Sequence, residues 1–358
     1  MTQPLSPGAS IGILGGGQLG RMLSVAAARL GFTTHIYEPG ADCPASHVAL
    51  RTTTAPYDDA AALTAFAQSV DVVTYEFENV PTGALDLIEA QVPIRPNRRA
   101  LAISQDRLTE KRFLQDLGLA TAAFAPVETL DEMLAAVKTI GTPAILKTRR
   151  FGYDGKGQIR LNTANEPATA LAALKGAPAI LEGFVDFTRE ASVIAARSRG
   201  GQVAAFDPGE NVHKAGILHT TTVPARLTAA QRTDAVLRAG RILNALDYVG
   251  VIGVELFVTV RGLVVNEFAP RVHNSGHWTQ NGCAVDQFEQ HIRAIAGWPL
   301  GDGSRHSDVV MENLIGDDVA RIADLAGQPD TAIHLYGKAE ARKGRKMGHI
   351  NRLRGPAR

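Results

Sequence analysis

Apolar and polar positions change period along the chain, and each change marks an element. SIGILG (10–15) is a short apolar run, and QLGRMLSVAAARLG (18–31) carries helical spacing that ends at Gly31. TTHIYE (33–38) predicts a second strand, DDAAALTAFAQS (58–69) a helix and VDVVTYE (70–76) a third strand. PTGALDLIEA (81–90) predicts a helix with Pro81 near its start. Strands alternating with helices imply βαβ units and a parallel sheet, which Pro93 and Pro96 bring to an end.

Beyond that point the pattern is mixed. DRLTEKRFLQDLG (106–118) reads as a helix with Leu108, Phe113, Leu114 and Leu117 at its apolar positions. PAILKTR, GQIRL and AILEGFV read as strands, and ATALAALKG as a helix between the last two. REASVIAARS and QVAAFD alternate like antiparallel strands. A helix over 228–247 leads into VGVIGVELFVTVRGLVVNEF (249–268), a hairpin, and VDQFEQHIRAIAG (285–297) is a further helix. The remaining tail is short and contains a basic run.

Composition narrows the class. A chain of 358 residues is long enough for two or three domains. A formal net charge of +1 gives no global field toward nucleic acid or an anionic membrane. Cys43 and Cys283 are the two cysteines, so neither a disulfide scaffold nor a cysteine zinc site is expected. No apolar run approaches the roughly 18 residues of a membrane span. The start lacks the basic and apolar regions of a signal peptide. The expectation is a cytoplasmic enzyme.

Two glycine-rich stretches compete to mark its chemistry. Gly15, Gly17 and Gly20 fit GxGxxG between a strand and a helix, with Glu38 ending the next strand. That pattern suits NAD, and it equally suits a βα turn that binds any phosphate. KTRRFGYDGKGQIRL (147–161) has Gly152, Gly155 and Gly157 around Lys156, with Arg149 and Arg150 upstream. A Walker loop runs directly into a helix, whereas this loop joins two strands, as a flap over a triphosphate or an ordinary flexible hairpin would. Lys147 ends the strand beneath it, where a lysine either reaches for water or points at an anion.

The hairpin adds a pair of carboxylates. A three-residue loop of Val260, Arg261 and Gly262 pairs Thr259 with Leu263 and sets Glu255 opposite Glu267. Opposed carboxylates repel unless a cation or proton lies between them. A magnesium ion bridging nucleotide phosphates fits, as does a shared proton or solvation at a rim.

Taken together, GILGGGQLGRM, YEFENV, GYDGKGQ, EGFVDFTRE, NEFAPRVHNSGHWT and HLYGKAEARKGRKMGHI resemble the N5-carboxyaminoimidazole ribonucleotide synthetase family of the ATP-grasp superfamily. The likeness runs through nearly the whole chain in family order. It implies a mixed α/β and α+β protein. The expected units are an N-terminal parallel-sheet domain (1–97), a central ATP-grasp domain (98–299) and a small C-terminal domain (300–358).

The resemblance also implies ATP and Mg²⁺ as cofactors, bicarbonate and 5-aminoimidazole ribonucleotide as substrates, and a homodimer. It places Arg107 and Lys147 on the ATP phosphates or base, and Gly152, Tyr153, Asp154, Gly155, Lys156, Gly157 and Gln158 over the phosphates. Glu182, Gly183, Phe184 and Val185 line the adenine through backbone groups. Glu190 takes the ribose hydroxyls, and His213 is a further nucleotide contact. Asn266 and Glu267, with Glu255, hold the metal.

NEFAPRVHNSGHWT continues from the metal strand, so Arg271, His273 and Asn274 are expected beside the γ-phosphate. Arginine suits bicarbonate and the carboxyl end of carboxyphosphate, and histidine can orient an anion or move a proton near neutral pH. Trp278 reads as packing beneath that loop. Within the basic tail, Lys338, Arg345 and Lys346 are assigned to the ribonucleotide phosphate, assisted by Gln18 and Leu19. Glu76 and Asp154 are assigned to its aminoimidazole end.

Overall fold

The computed structural model describes residues 3–152, 156–164 and 166–356. Ser10–Leu14 lies at the centre of a four-stranded parallel sheet, between Thr33–Tyr37 and Val72–Tyr75. Arg51–Thr53 extends the sheet beyond Thr33–Tyr37. This last strand reads RTT, with no buried residue, so alternation gave it no signal. Ile11, Ile13 and Leu14 are fully buried, which explains why their strand is an uninterrupted apolar run. Helices Gln18–Arg29, Ala60–Gln68 and Thr82–Glu89 connect the strands. The turns after Leu14 and Tyr75 leave adjacent strands at their carboxyl ends, the usual location of ligand crevices in such sheets.

A second, antiparallel sheet of four strands runs Phe124–Val127, Ala179–Gly183, Ala144–Thr148, Gln158–Leu161. The glycine loop joins the last two, as the flap reading requires. Helix Leu130–Ile140 packs on this sheet and starts with a capping box of Thr129 and Glu132.

The third sheet has nine strands among the described residues. From its edge it runs Gly262–Ala269, Gly250–Thr259, Arg189–Arg197, Gly209–Lys214, Ile217–Val223, Ser307–Ile315, Lys346–Pro356 and Thr331–Leu335, with Val203–Ala205 also pairing on Arg189–Arg197. Ser307–Ile315 bonds directly to Ile217–Val223, so the sheet passes through the expected division at residue 300 without a break. The second half of the basic tail, from Lys346, is itself a strand whose residues 347–351 are buried.

Helix Gln287–Ala296 locks the N-terminal sheet to this large sheet. His291 spans the junction: its Nδ1 accepts from Val251 N at 3.1 Å, and Nε2 lies 2.8 Å from Thr74 Oγ1. Trp278, Phe206, Phe288 and Ile292 share one core with Ile11, Ile13 and Leu23. Trp278 is packing, as expected.

Candidate active site

Helix Arg107–Asp116 departs from its predicted pattern in a way that builds the site. Leu108 and Leu114 are buried, but so are Glu110 and Lys111, while Phe113 and Leu117 are only partly covered. Arg107, Glu110 and Lys111 stand at i, i+3 and i+4, so they share one face. Arg107 and Glu110 line a cleft of ≈660 Å³ formed by the second and third sheets and the segments that follow Leu14 and Tyr75 of the first, and Lys111 lies behind them.

Five of the cations here meet a carboxylate if His213 is counted with Lys147, Lys111, Arg107 and Arg271. Lys147 Nζ lies 2.9 Å from Glu182 Oε2, and Lys111 Nζ lies 3.4 Å from the same oxygen. Burial works against ionisation of Glu182, but Lys147 and Lys111 outweigh it and hold the carboxyl below its ordinary range. Arg107 Nη1 donates to Glu267 Oε2 at 2.7 Å. Burial would raise Glu267 too, yet Arg107 and Lys147 bring it to about 2. Arg271 Nη2 meets Glu78 Oε1 at 2.5 Å, and His213 is paired with Glu190. Burial lowers the His213 pKa, but Glu190 more than compensates and raises it.

Glu255 does lie opposite Glu267, although the path between them differs from the expected one. Thr259 pairs with Gly262, so the loop has two residues, Val260 and Arg261, where three were expected. The Thr259 hydroxyl stabilises this tighter turn, accepting from Arg261 N at 3.1 Å and donating to Gly262 O at 2.8 Å. A bulge at Asn266 then restores the register. It turns the Asn266 carbonyl toward Lys111, which donates to it at 2.7 Å. Burial, and then the charge of Glu267, push Glu255 up to about 7. The same two causes push Glu110 up to about 8, and Glu110 accepts from Phe268 N at 2.7 Å.

Gly152, Lys156 and Gln158 line the cleft, with Glu190, His213 and Asn266. Gly157, at φ +71°, lies in the flap behind them. Tyr153, Asp154 and Gly155 lie outside the described residues. Of the segment 182–185, Phe184 faces the cleft, with Arg160 stacked 4.4 Å from its ring centroid, and Glu182 lies beneath. The amides of Gly183 and Phe184 are already bonded, to Ala123 O and Pro143 O. Val185 is half-buried and does not line the cleft.

The sequence reading missed the apolar wall beside this segment. Phe187 and Phe257 stack on each other at 4.7 Å with an interplanar angle of 16° and, with Ile145, give the cleft an apolar wall. Phe257 was detectable, because it lies two residues from Glu255 and alternation puts both on one face. Glu78, two residues after Glu76, was missed for lack of any partner signal in sequence.

At the far end, Asn274 exchanges hydrogen bonds with buried Asn313 at 2.8 and 3.0 Å. The Nδ1 of His273 lies 2.8 Å from Ser275 Oγ and 3.4 Å from Ser275 N, and Nε2 lies 3.4 Å from Glu255 Oε1. Burial, then Arg271, push His273 down to about 3. The ring is therefore neutral at pH 7, which supports orienting an anion and argues against shuttling a proton near neutrality.

The glycine turn is occupied by protein carboxylates. Glu76 accepts from Gly17 N and, at 2.7 Å, from Gly20 N. Glu38 accepts from Gly16 N at 2.9 Å and Gly40 N at 3.2 Å. The amides of Gly16, Gly17 and Gly20 are thus committed to protein carboxylates, and Glu38 to the turn itself. Gln18, Leu19 and Glu76 nonetheless line the cleft. From the tail, Lys346 reaches it. Lys338 lies behind, donating to Lys346 O at 2.8 Å, and Arg345 donates to Glu340 O at 3.0 Å.

Three family descriptions match in chain order: a ribonucleotide synthetase preATP-grasp domain over 9–105, an ATP-grasp domain over 112–288, and a phosphoribosylaminoimidazole carboxylase C-terminal domain over 309–355. The chain is 56% identical over 353 residues to the N5-carboxyaminoimidazole ribonucleotide synthase of Brucella melitensis, covering 98% of each. A solved synthetase from Thermus thermophilus is 43% identical, with TM-score 0.91 over 96% of this chain and 93% of that one. The Aspergillus clavatus synthase, solved with ADP and the aminoimidazole ribonucleotide, is 31% identical, with TM-score 0.90 over 97% and 94%. With likeness of this extent over nearly the whole chain, it belongs to the N5-carboxyaminoimidazole ribonucleotide synthase family of ATP-grasp ligases.

Proposed function

We propose that this enzyme carboxylates 5-aminoimidazole ribonucleotide with bicarbonate at the expense of ATP, giving N5-carboxyaminoimidazole ribonucleotide, ADP and phosphate in purine biosynthesis. The observation that carries this reading is the joining, in one cleft, of Arg107, Lys147 and the Glu255–Glu267 pair with Arg271, His273 and Lys346. The first group suits a nucleotide triphosphate, and the second suits a small oxyanion and a phosphate ester.

Glu255 and Glu267 fit Mg²⁺. They face each other, and Glu255 is pushed to about 7 as a carboxyl short of a counter-charge would be. No group of three or more His, Cys, Asp or Glu gathers as a metal site among the described residues. Two carboxylates suffice for a Mg²⁺ that completes its shell with phosphate oxygens. Once bound, the ion supplies charge stabilisation to the transferring phosphoryl group.

A bicarbonate oxygen attacks the γ-phosphorus, the bond to the β-phosphate oxygen breaks, and ADP leaves. Lys147 and Arg107 turn toward the phosphates and offset the charge that spreads over them. Arg271 holds the carboxyl end of the resulting carboxyphosphate, with the neutral His273 ring orienting it. The flap excludes the water that would destroy this intermediate, and Asp154, outside the described residues, is assigned to the amine. The amine then bonds to the carboxyl carbon as phosphate departs, and the amine proton leaves with the phosphate.

In this reading Glu182–Val185 with Phe187 and Phe257 hold the base, Glu190 and His213 the ribose, and Asn266 the metal strand. Lys338, Arg345 and Lys346, with Gln18 and Leu19, receive the ribonucleotide phosphate, and Glu76 and Asn274 border its ring. Functional units at 1–97, 98–299 and 300–358, a homodimer and a cytoplasmic setting complete the proposal. No described helix is long and apolar enough to cross a membrane. The test is ADP release with bicarbonate and ribonucleotide omitted in turn. Full turnover without either one contradicts the assignment.

A further inference from the structure

Lys111 lies outside the cleft lining, is 1% exposed, and has no role in the chemistry above. Its ammonium nonetheless touches two parts of the site. It donates to the Asn266 carbonyl at 2.7 Å and lies 3.4 Å from Glu182 Oε2, the oxygen that Lys147 approaches to 2.9 Å. Glu182 is thus a buried carboxylate shared by two lysines. Lys147 borders the cleft and can turn into it. Lys111 cannot, because the Asn266 bond and its burial fix it in place.

We propose that Lys111 is a positioning residue, the standing counter-ion of Glu182 that allows Lys147 to move from this carboxylate to the nucleotide phosphates. The inference rests on the ATP reading above. If Lys147 turned away from a Glu182 that had no other partner, a buried charge would be left uncompensated, a strongly unfavourable state. With Lys111 in place, Glu182 keeps a cation within ion-pair distance and Lys147 is released. Without Lys111, Lys147 is the sole partner of Glu182 and is held there against the nucleotide. The bulge at Asn266 belongs to the same device, since it presents the carbonyl that anchors Lys111.

The test uses the full chain, Mg²⁺ and the non-hydrolysable β,γ-imido analogue of ATP, with affinity read by titration calorimetry. Lys111→Met should weaken the analogue by about tenfold or more, while the KM for the ribonucleotide stays within about twofold. Lys111→Arg keeps the charge and should recover most of the loss. Adding Lys111→Met to Glu182→Gln should change analogue affinity by less than about threefold, because the carboxylate that holds Lys147 is gone. This second pair also decides the matter if Lys111→Met alone does not fold. Wild-type affinity in Lys111→Met, or a tenfold loss on adding it to Glu182→Gln, overturns the proposal. Failure of the wild-type chain to bind the analogue overturns the ATP reading instead.

Discussion

Replacing Lys147 with methionine separates what this residue does for folding from what it does for catalysis. The substitution removes a charge 2.9 Å from Glu182 and leaves the hydrocarbon stem largely intact. Breaking a buried ion pair ordinarily costs about 3–5 kcal/mol, because the remaining charge has no partner. Here Lys111 stays 3.4 Å from the same oxygen, so the expected loss is smaller, about 1–2 kcal/mol. For a chain of 358 residues, with an unfolding entropy of about 2.1 cal/mol/K per residue, that corresponds to a fall in Tm of roughly 1–3 °C. The effect on turnover should be much larger. A cation about 4 Å from a developing negative charge, at an effective dielectric constant near 20, contributes about 4 kcal/mol. Its loss lowers kcat by about 10³. Scanning calorimetry reads the first quantity, and ADP release at saturating substrates reads the second. A kcat within about tenfold of wild type would refute the placing of Lys147 on the transferring phosphoryl group. A Tm drop above about 4 °C, the range of an uncompensated pair, would refute the compensation by Lys111.

Glu267→Gln should lower turnover and shift the Mg²⁺ requirement upward by about tenfold or more, and an unchanged Mg²⁺ titration would remove Glu267 from the metal. Lys338→Ala should raise the KM for the ribonucleotide with the KM for ATP unchanged, and an effect confined to ATP would place the tail elsewhere. Burial holds His291 down at about 3, below its ordinary 6.5, so the folded protein keeps this ring neutral while the unfolded chain protonates it. Its contribution to stability is complete above pH 6.5 and is lost as pH falls toward 3. At pH 5.5 the loss is about 1.4 kcal/mol, so His291→Gln should flatten the fall in Tm between pH 7.5 and 5.5. An equally steep fall in the variant would refute this source of acid sensitivity.

Much of this architecture was legible in the hydrophobic pattern, and the exceptions have physical causes. The central parallel strands are apolar runs because both their faces are covered. Arg51–Thr53 is a polar edge strand, and the pairing that makes it a strand leaves no trace in its three residues. Ser307–Ile315 and Lys346–Pro356 owe their place to partners in a sheet begun about a hundred residues earlier, which local spacing does not report. Glu110 and Lys111 read as the polar face of a helix. Charged side chains are rarely buried without partners, and theirs come from strands more than 70 residues away, at Glu182, Asn266 and Phe268. The Glu255–Glu267 pair was legible because alternation fixes which side chains share a face. Its loop was not, since a shorter turn and a compensating bulge give the same pairing. The partners of the glycine turn were hidden for a similar reason. The anions that its Gly16, Gly17 and Gly20 amides meet are Glu38 and Glu76, supplied by other strand ends.

The central claim is that bicarbonate is itself phosphorylated before carbon is delivered to the amine. Bicarbonate labelled with ¹⁸O, reacted with ATP and the ribonucleotide, tests this in a single turnover, with the phosphate analysed by mass spectrometry. The account predicts one labelled oxygen in each phosphate released, carried there by the attacking oxygen. Unlabelled phosphate, with all label kept in the carbamate or lost to water, would contradict it.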